Sequence, residues 1–201
     1  DNEGKVFFKP DSTVYPLLTY NKNSSLEGGV EIYEMPKINA EGQVPYGRYI
    51  AGIDTIDADK GKSLFSIILM DTFTDRIVAE YSGRPRYADE AYEIEMRLLM
   101  FYNAQANYEK NLKGLFTYFS NHNKLYLLAD TPKILKDMDL IKEIGYGNNS
   151  KGSHATLQIN SWARLLQADW LDKPLTYNLE EEENPNLRNL HKVRNIAYLE
   201  E

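Results

Sequence analysis

The chain has no cysteine among its 201 residues. That excludes disulfides and thiolate metal sites, and it suits a reducing compartment. Long hydrophobic runs are missing too. The longest apolar stretches, such as LFSIILM at 64–70, are strand length, far short of the ~20 residues that span a bilayer. Histidine is scarce, with 3 in all, and His122, His154 and His191 show no metal-ligand spacing. Positive charge is in deficit: 23 Lys and Arg face 30 Asp and Glu, a formal net charge of -7. This argues against a protein that binds nucleic acid by charge alone, and leaves room for a small acidic site with a local basic rim. A complete phosphate-binding loop is also lacking. The stretch GIDTIDADKGKS, Gly52 to Ser63, ends in GKS, but the motif needs a glycine five positions before Gly61, where Ile56 stands. A P-loop also opens a helix, whereas Ser63 runs into a strand-like apolar segment. A nucleotide-binding α/β protein resting on this tripeptide is the weakest of the function classes.

What is present is a globular composition, 42% hydrophobic and 26% charged, in a chain long enough for one α/β domain and an arm. Residues 1–45 hold short extended runs broken by Pro10 and Pro16, then a turn and the strand GVEIYEM stopped by Pro36. They read as an N-terminal arm or linker. Residues 46–201 read as the domain. RYIAGID, SLFSIILMD and RIVAEYSG are three strands with short turns, an antiparallel meander. After GRPRY the period changes: ADEAYEIEMRLLMFYNA places Ala91, Ile94, Leu98 and Phe101 at helical spacing, with acids at the start. QANYE follows as a strand, then NLKGLFTYFSN as a helix with Asn111 as N-cap. KLYLLAD is a further strand. TPKILKDMDLIKEIG is a helix with Pro132 in its first turn and Gly145 at its end. A glycine-containing loop, YGNNSKGSH, leads to the amphipathic helix ATLQINSWARLLQADWLD, whose Trp162, Leu166 and Trp170 recur at core spacing. EEEENPN reads as a charged linker and LRNLHKVRNIAYLEE as a last helix. The start at Asp1, and an end inside a helical pattern with no stop signal, suggest a piece truncated at its C-terminus. The order β-β-β-α-β-α-β-α-α predicts an α/β fold: a mixed central sheet, antiparallel meander then parallel strands, with helices on both faces, as in ribonuclease H-like folds.

In that order the first and fourth strands lie side by side at the centre of the sheet. Asp54 ends the first and Glu109 the fourth. Two like charges at one sheet edge repel, and a divalent cation removes the repulsion. Oxygen ligands suit magnesium or manganese, and two such ions about 4 Å apart support phosphodiester cleavage. The structural alternatives are an acidic hairpin loop for Asp54 and a helix-start acid for Glu109. Asp57 and Asp130 are further candidate ligands, with N-capping of the following helix as the alternative for Asp130. His154 could sit near a scissile phosphate or be structural. Lys110, Lys113 and Lys151, with Arg164, could rim a DNA site or merely confer solubility.

The segments GGVEIYEMP, GRYIAGIDTIDADKGKSLFSIILMD, RIVAEYSGRP, NYEKNLKGLFTYF and INSWARLLQADWL, in this order and spacing over residues 28–175, resemble the C-terminal nuclease domain of the large terminase subunit of tailed phages. The resemblance implies a ribonuclease H-like fold and metal-dependent endonucleolytic cleavage of concatemeric double-stranded DNA during genome packaging, in the host cytoplasm. It implies Asp54 and Glu109 as catalytic ligands of two Mg2+ or Mn2+ ions. It also makes Asn111 and Gly114 the shaping residues of the turn after the acid, and leaves Asp57 where some relatives carry another acid. The implied partners are the ATPase domain of the same parent chain and the portal protein, with no membrane. A third acid, expected late in the domain, is not matched by Glu182, Glu183, Glu200 or Glu201, so the chain by itself is expected to cut weakly or not at all. The rival class is a docking module with the same fold and vestigial acids.

Overall fold

The computed structural model describes residues 5–8, 17–18, 28–57, 63–141, 150–174 and 188–193. Seven strands run β1 Lys5–Phe8, β2 Leu17–Leu18, β3 Gly29–Ile32, β4 Tyr49–Asp54, β5 Phe65–Asp71, β6 Arg76–Gly83 and β7 Gln105–Tyr108. They form one open sheet in the order β2-β1-β3-β6-β5-β4-β7. The five strands β3-β6-β5-β4-β7 make a mixed sheet: β3, β6, β5 and β4 are antiparallel to their neighbours, and β7 joins β4 in parallel. The segment 1–45, read as an arm, thus supplies β1, β2 and β3 to the sheet itself.

Strict alternation explains which face is buried. Tyr49, Ala51 and Ile53 of β4 are buried, while Ile50, Gly52 and Asp54 are exposed. Ala51 is paired with Leu69 and Ala106, and Ile53 with Ile67 and Tyr108, so these residues share a face. Ile67 and Leu69 in turn pair with Tyr81 and Ala79. All of them belong to one core cluster that includes residues of helix α1, Ala88–Tyr102. Tyr102 sets its ring edge-on to Tyr49, with centroids 5.1 Å apart, and donates its hydroxyl to the Glu34 carbonyl at 2.6 Å. At the far end of β4, Arg48 grips Asp71 at 2.7 Å, fixing the start of β4 to the end of β5.

Several expectations need correcting. The buried residues of α1 are Ala88, Ala91, Tyr92, Glu95, Met96, Arg97, Leu98, Leu99 and Tyr102, so the helix is turned from the Ala91–Ile94–Leu98–Phe101 stripe, and Ile94 and Phe101 are only partly buried. Among the described residues helices do not cover β4 on both sides: Ile50, on the other face, is 49% exposed. The strand bearing Glu109 is the last in the sheet rather than central. KLYLLAD is no strand; it forms a 3-10 turn, Leu125–Leu127, and touches β7 through one parallel bridge, Ala106 to Leu128. Helix α2, Gly114–Asn121, begins after Lys113, so Asn111 is not its N-cap. Helix α3, Lys133–Asp137, is a single short piece with Pro132 as its N-cap residue, and Gly145 lies outside the described residues.

Helix α4, Leu157–Asp172, starts two residues later than expected, because Thr156 is its N-cap and accepts from the Ile159 amide. It is not a core helix, because only Ile159 is buried and Leu166 is 48% exposed. Trp170 instead donates its indole N–H to Asp75 in the β5–β6 turn at 3.3 Å, with Lys192 Nζ 6.0 Å from the ring centre. The linker EEEENPN lies outside the described residues, and of the expected last helix only a 3-10 turn, Asn189–Lys192, is described.

One-sided burial has a direct test. Ile67→Ala opens a hole in the fully buried face and is expected to cost about 2–5 kcal/mol. Ile50→Ala, on the exposed face of the adjacent strand, should cost under about 1 kcal/mol, within the usual range of surface changes. Urea unfolding of both variants measures the difference. Equal losses would place a covering element over the Ile50 face.

Candidate functional site

The parallel pairing of β4 with β7 sets the site. Ile53 stands beside Tyr108, and the next residue on each strand is an acid, Asp54 and Glu109. Adjacent strands are ~4.8 Å apart, so the two residues stand at the same end of the sheet on neighbouring strands. Alternation turns both away from the buried side of Ile53 and Tyr108. Asp54 is exposed and Glu109 half-buried. Asn111 donates its side-chain amide to Glu109 Oε1 at 2.9 Å.

Asp57 has a different occupation. Its Oδ2 accepts the Lys113 amide at 2.9 Å, both oxygens accept the Gly114 amide at 3.1 Å, and Tyr92 donates its hydroxyl to Oδ1 at 3.0 Å. These donors include orphan amides at the start of α2, which Asp57 satisfies from a distant loop. A Cβ at position 114 would collide with Tyr92 Oη and Asp57 Oδ1, so only glycine lets the three approach. Burial, and then the bond to Asp57, raise the Tyr92 pKa, so the phenol stays a donor. Asp57 is therefore a clasp between the β4 exit and α2, and its oxygens are committed to backbone rather than turned to a cation. Asp59, Gly61 and Lys62 lie outside the described residues.

Asp130 also differs from expectation. It neither caps α3 nor joins Asp54 and Glu109: it accepts from Ser150 Oγ at 2.7 Å and pairs with Lys151 at 3.1 Å. The Ser150 bond, then Lys151, hold its pKa below the usual carboxylate value against partial desolvation. Lys151 is thereby paired with an acid. Lys113 meets the site through its backbone amide, and its side chain is exposed. Lys110 follows Glu109, half-buried, with Nζ 3.5 Å from Thr131 Oγ1; burial lowers its pKa. His154 places Nδ1 2.7 Å from Asn111 Oδ1. Among the described residues, no three His, Cys, Asp or Glu side chains group closely enough to hold a metal ion.

One residue near the site escaped the sequence reading. Glu95 is fully buried in α1, and neither carboxylate oxygen has a hydrogen-bond partner. Burial, and then the charge of Asp54, push its pKa well above the ordinary value, so it is a neutral acid in the fold. The signal was available: Glu95 sits in the stripe Ala88, Ala91, Leu98, Tyr102, where an acid is out of place. No family model matches the chain, and no curated protein is significantly similar to it. Among the described residues, no helix is long and apolar enough to cross a membrane.

Two stability predictions follow from these acids. Asp57→Ala strands the α2 amides and is expected to cost about 1–3 kcal/mol. Thermal melts in EDTA measure the loss, and an unchanged melting temperature would show that the clasp adds nothing. Glu95 gives a pH signature. Its folded pKa lies above its unfolded value, so the fold holds a proton that the unfolded chain releases as pH rises past about 4.5. The native state binds more protons, and stability falls with rising pH through that window. Glu95→Met is expected to abolish this slope and to stabilise by about 1–3 kcal/mol at neutral pH, less at pH 4. A stability gain independent of pH would mean that Glu95 titrates normally.

Proposed function

We propose that the chain is a divalent-metal-dependent DNA endonuclease domain on a ribonuclease H-like frame, of the kind found in the large terminase subunits of tailed phages. The observation that carries this reading is the parallel register of β4 with β7, which pairs Ile53 with Tyr108 and so leaves Asp54 and Glu109 as the next residue on each strand. The antiparallel meander β4-β5-β6, followed by α1 and a parallel return beside β4, supports the same frame. The donor set fits the ion: two hard carboxylates at an exposed sheet end suit magnesium or manganese with water completing the shell. When bound, a pair of such ions supplies an activated water and charge stabilisation on the leaving oxygen. Asp54 and Glu109 hold the ions, and Asn111 fixes one oxygen of Glu109. Lys110 and Lys113 flank the acids at the α2 turn, where phosphates of double-stranded DNA would pass. The wider setting that goes with this reading is an ATPase domain in the same parent chain, a portal partner and the host cytoplasm.

A docking module with vestigial acids is the second reading. It is favoured by the absence, among the described residues, of a third acid or histidine beside the pair.

Plasmid nicking in manganese separates the two. Asp54→Asn and Glu109→Gln are expected to lower nicking by at least about 100-fold, roughly the loss of 3 kcal/mol of transition-state stabilisation, with unchanged circular dichroism. Because the chain by itself is expected to cut weakly, ion binding is read as well. An ion at ten times its dissociation constant adds about 1.4 kcal/mol, a rise of roughly 3–6 °C in melting temperature, which Asp54→Asn should remove. No thermal response to magnesium or manganese, together with no nicking, establishes the docking reading instead.

A further inference from the structure

Beside the acids lies a hydrogen-bonded chain whose polarity can be deduced atom by atom. A carboxylate only accepts, so the Asn111 side-chain atom facing Glu109 Oε1 at 2.9 Å is the NH2 group. The carbonyl Oδ1 then faces His154 Nδ1 at 2.7 Å, and an amide oxygen also only accepts. Nδ1 must therefore carry a hydrogen, and in the neutral ring the lone pair sits on Nε2. The opposite tautomer would set lone pair against lone pair. Flipping the amide to relieve that clash would set Oδ1 against the Glu109 carboxylate. One ordering satisfies both bonds: Glu109 sets the amide, and Nδ1–H is the His154 tautomer that completes it.

The backbone explains why His154 is there to do so. Ser153 forms a parallel bridge to Glu109, donating its amide to Tyr108 O at 2.9 Å and accepting the Lys110 amide at 3.0 Å. Ser153 Oγ donates to Asn107 Oδ1 at 2.9 Å. Gly152, at φ +72°, lies so close to Tyr108 that a Cβ would meet the ring and the carbonyl. The segment is thus fastened along the end of β7, and His154 is delivered to the turn after Glu109. Burial, then the charge of Lys110, lower the His154 pKa, which favours the neutral ring.

We propose that His154 is a positioning residue for Glu109: its Nδ1–H locks the Asn111 amide, which holds Oε1 and leaves Oε2 directed for ligation. This rests on the reading of Glu109 as an ion ligand. Outer hydrogen bonds of this kind tune affinity and orient carboxylates at metal sites.

Two measurements on the 201-residue chain test it. Imidazole 15N correlations at pH 7.5 should give the Nδ1–H tautomer for His154 in the wild type and the Nε2–H form in Asn111→Ala. Manganese titration should give an affinity about 10-fold weaker in His154→Ala, at the low end for such outer-shell changes. In His154→Asn, whose amide nitrogen stands near the place of Nδ1, affinity should return to within about 3-fold of wild type on the same grounds. A merely structural loss would not be rescued in this way. An Nε2–H tautomer in the wild type, or an unchanged affinity in His154→Ala, overturns the proposal. Wild-type chain that binds no manganese yet shows the Nδ1–H tautomer, lost in Asn111→Ala, removes the ion reading while supporting the positioning chain.

Discussion

The pairing of β4 with β7 is the constraint on which the rest of the site depends. The two strands are far apart in sequence, and parallel pairing needs a crossover, here supplied by β5, β6 and α1 between them. Register cannot slip by one residue without turning Ile53 and Tyr108 out of the core and their neighbours into it. Burial of the apolar face therefore fixes where Asp54 and Glu109 emerge. The chemistry at this end of the sheet is a by-product of packing on the other side, which is why its position is well determined although both acids are at least partly solvent-facing.

Four acids near this end receive four fates from their surroundings. Asp54 is exposed. Glu109 accepts one amide and keeps the rest of its capacity. Asp57 spends both oxygens on the start of α2. Glu95, with no donor at all, is held neutral by burial. Identity as a carboxylate decides little here; available donors and water decide the role. The Asp57 clasp also has a bearing on the pair. It ties the loop after Asp54 to the turn after Glu109, so the two strand ends are joined once by the ladder and again beyond it.

Sequence reading reached the parts governed by short-range rules. The meander β4-β5-β6, α1 and β7 follow from period, and the placing of Asp54 and Glu109 at the ends of adjacent strands follows from their order. It failed where a partner outside the window decides. KLYLLAD has strand composition, but only one residue of it bridges to β7, and the backbone closes into a 3-10 turn instead. Asn111 looks like an N-cap because it precedes a helix, yet the acceptor for that helix comes from Asp57, more than fifty residues earlier, and Asn111 serves Glu109. The stripe of α1 was misplaced because Ile94 was favoured over Glu95, a sound preference that the buried acid defies.

Helix α4 shows the same limit from the other side. Its pattern is amphipathic, and a hydrophobic period states that one face wants burial without saying against what. In the fold that face is only partly covered: Ile159 is buried, Trp162 and Trp170 are half-buried, and Leu166 is 48% exposed. Its ends, by contrast, are tied, through Thr156 at the start and through Trp170 to Asp75 near the finish. Those anchors bring the helix from beside His154 to the β5–β6 turn, at the opposite end of the sheet from Glu109. Thr156, two residues past His154, starts a helix whose far end is held elsewhere. The hydrogen-bond chain to Glu109 therefore ends on a ring whose backbone is fastened on one side to β7 and on the other to α4. The backbone on either side of the ring is thus held, with Ser153 bonded to Tyr108 and Thr156 donating its amide to the His154 carbonyl, and this delivers the ring to its 2.7 Å contact with Asn111.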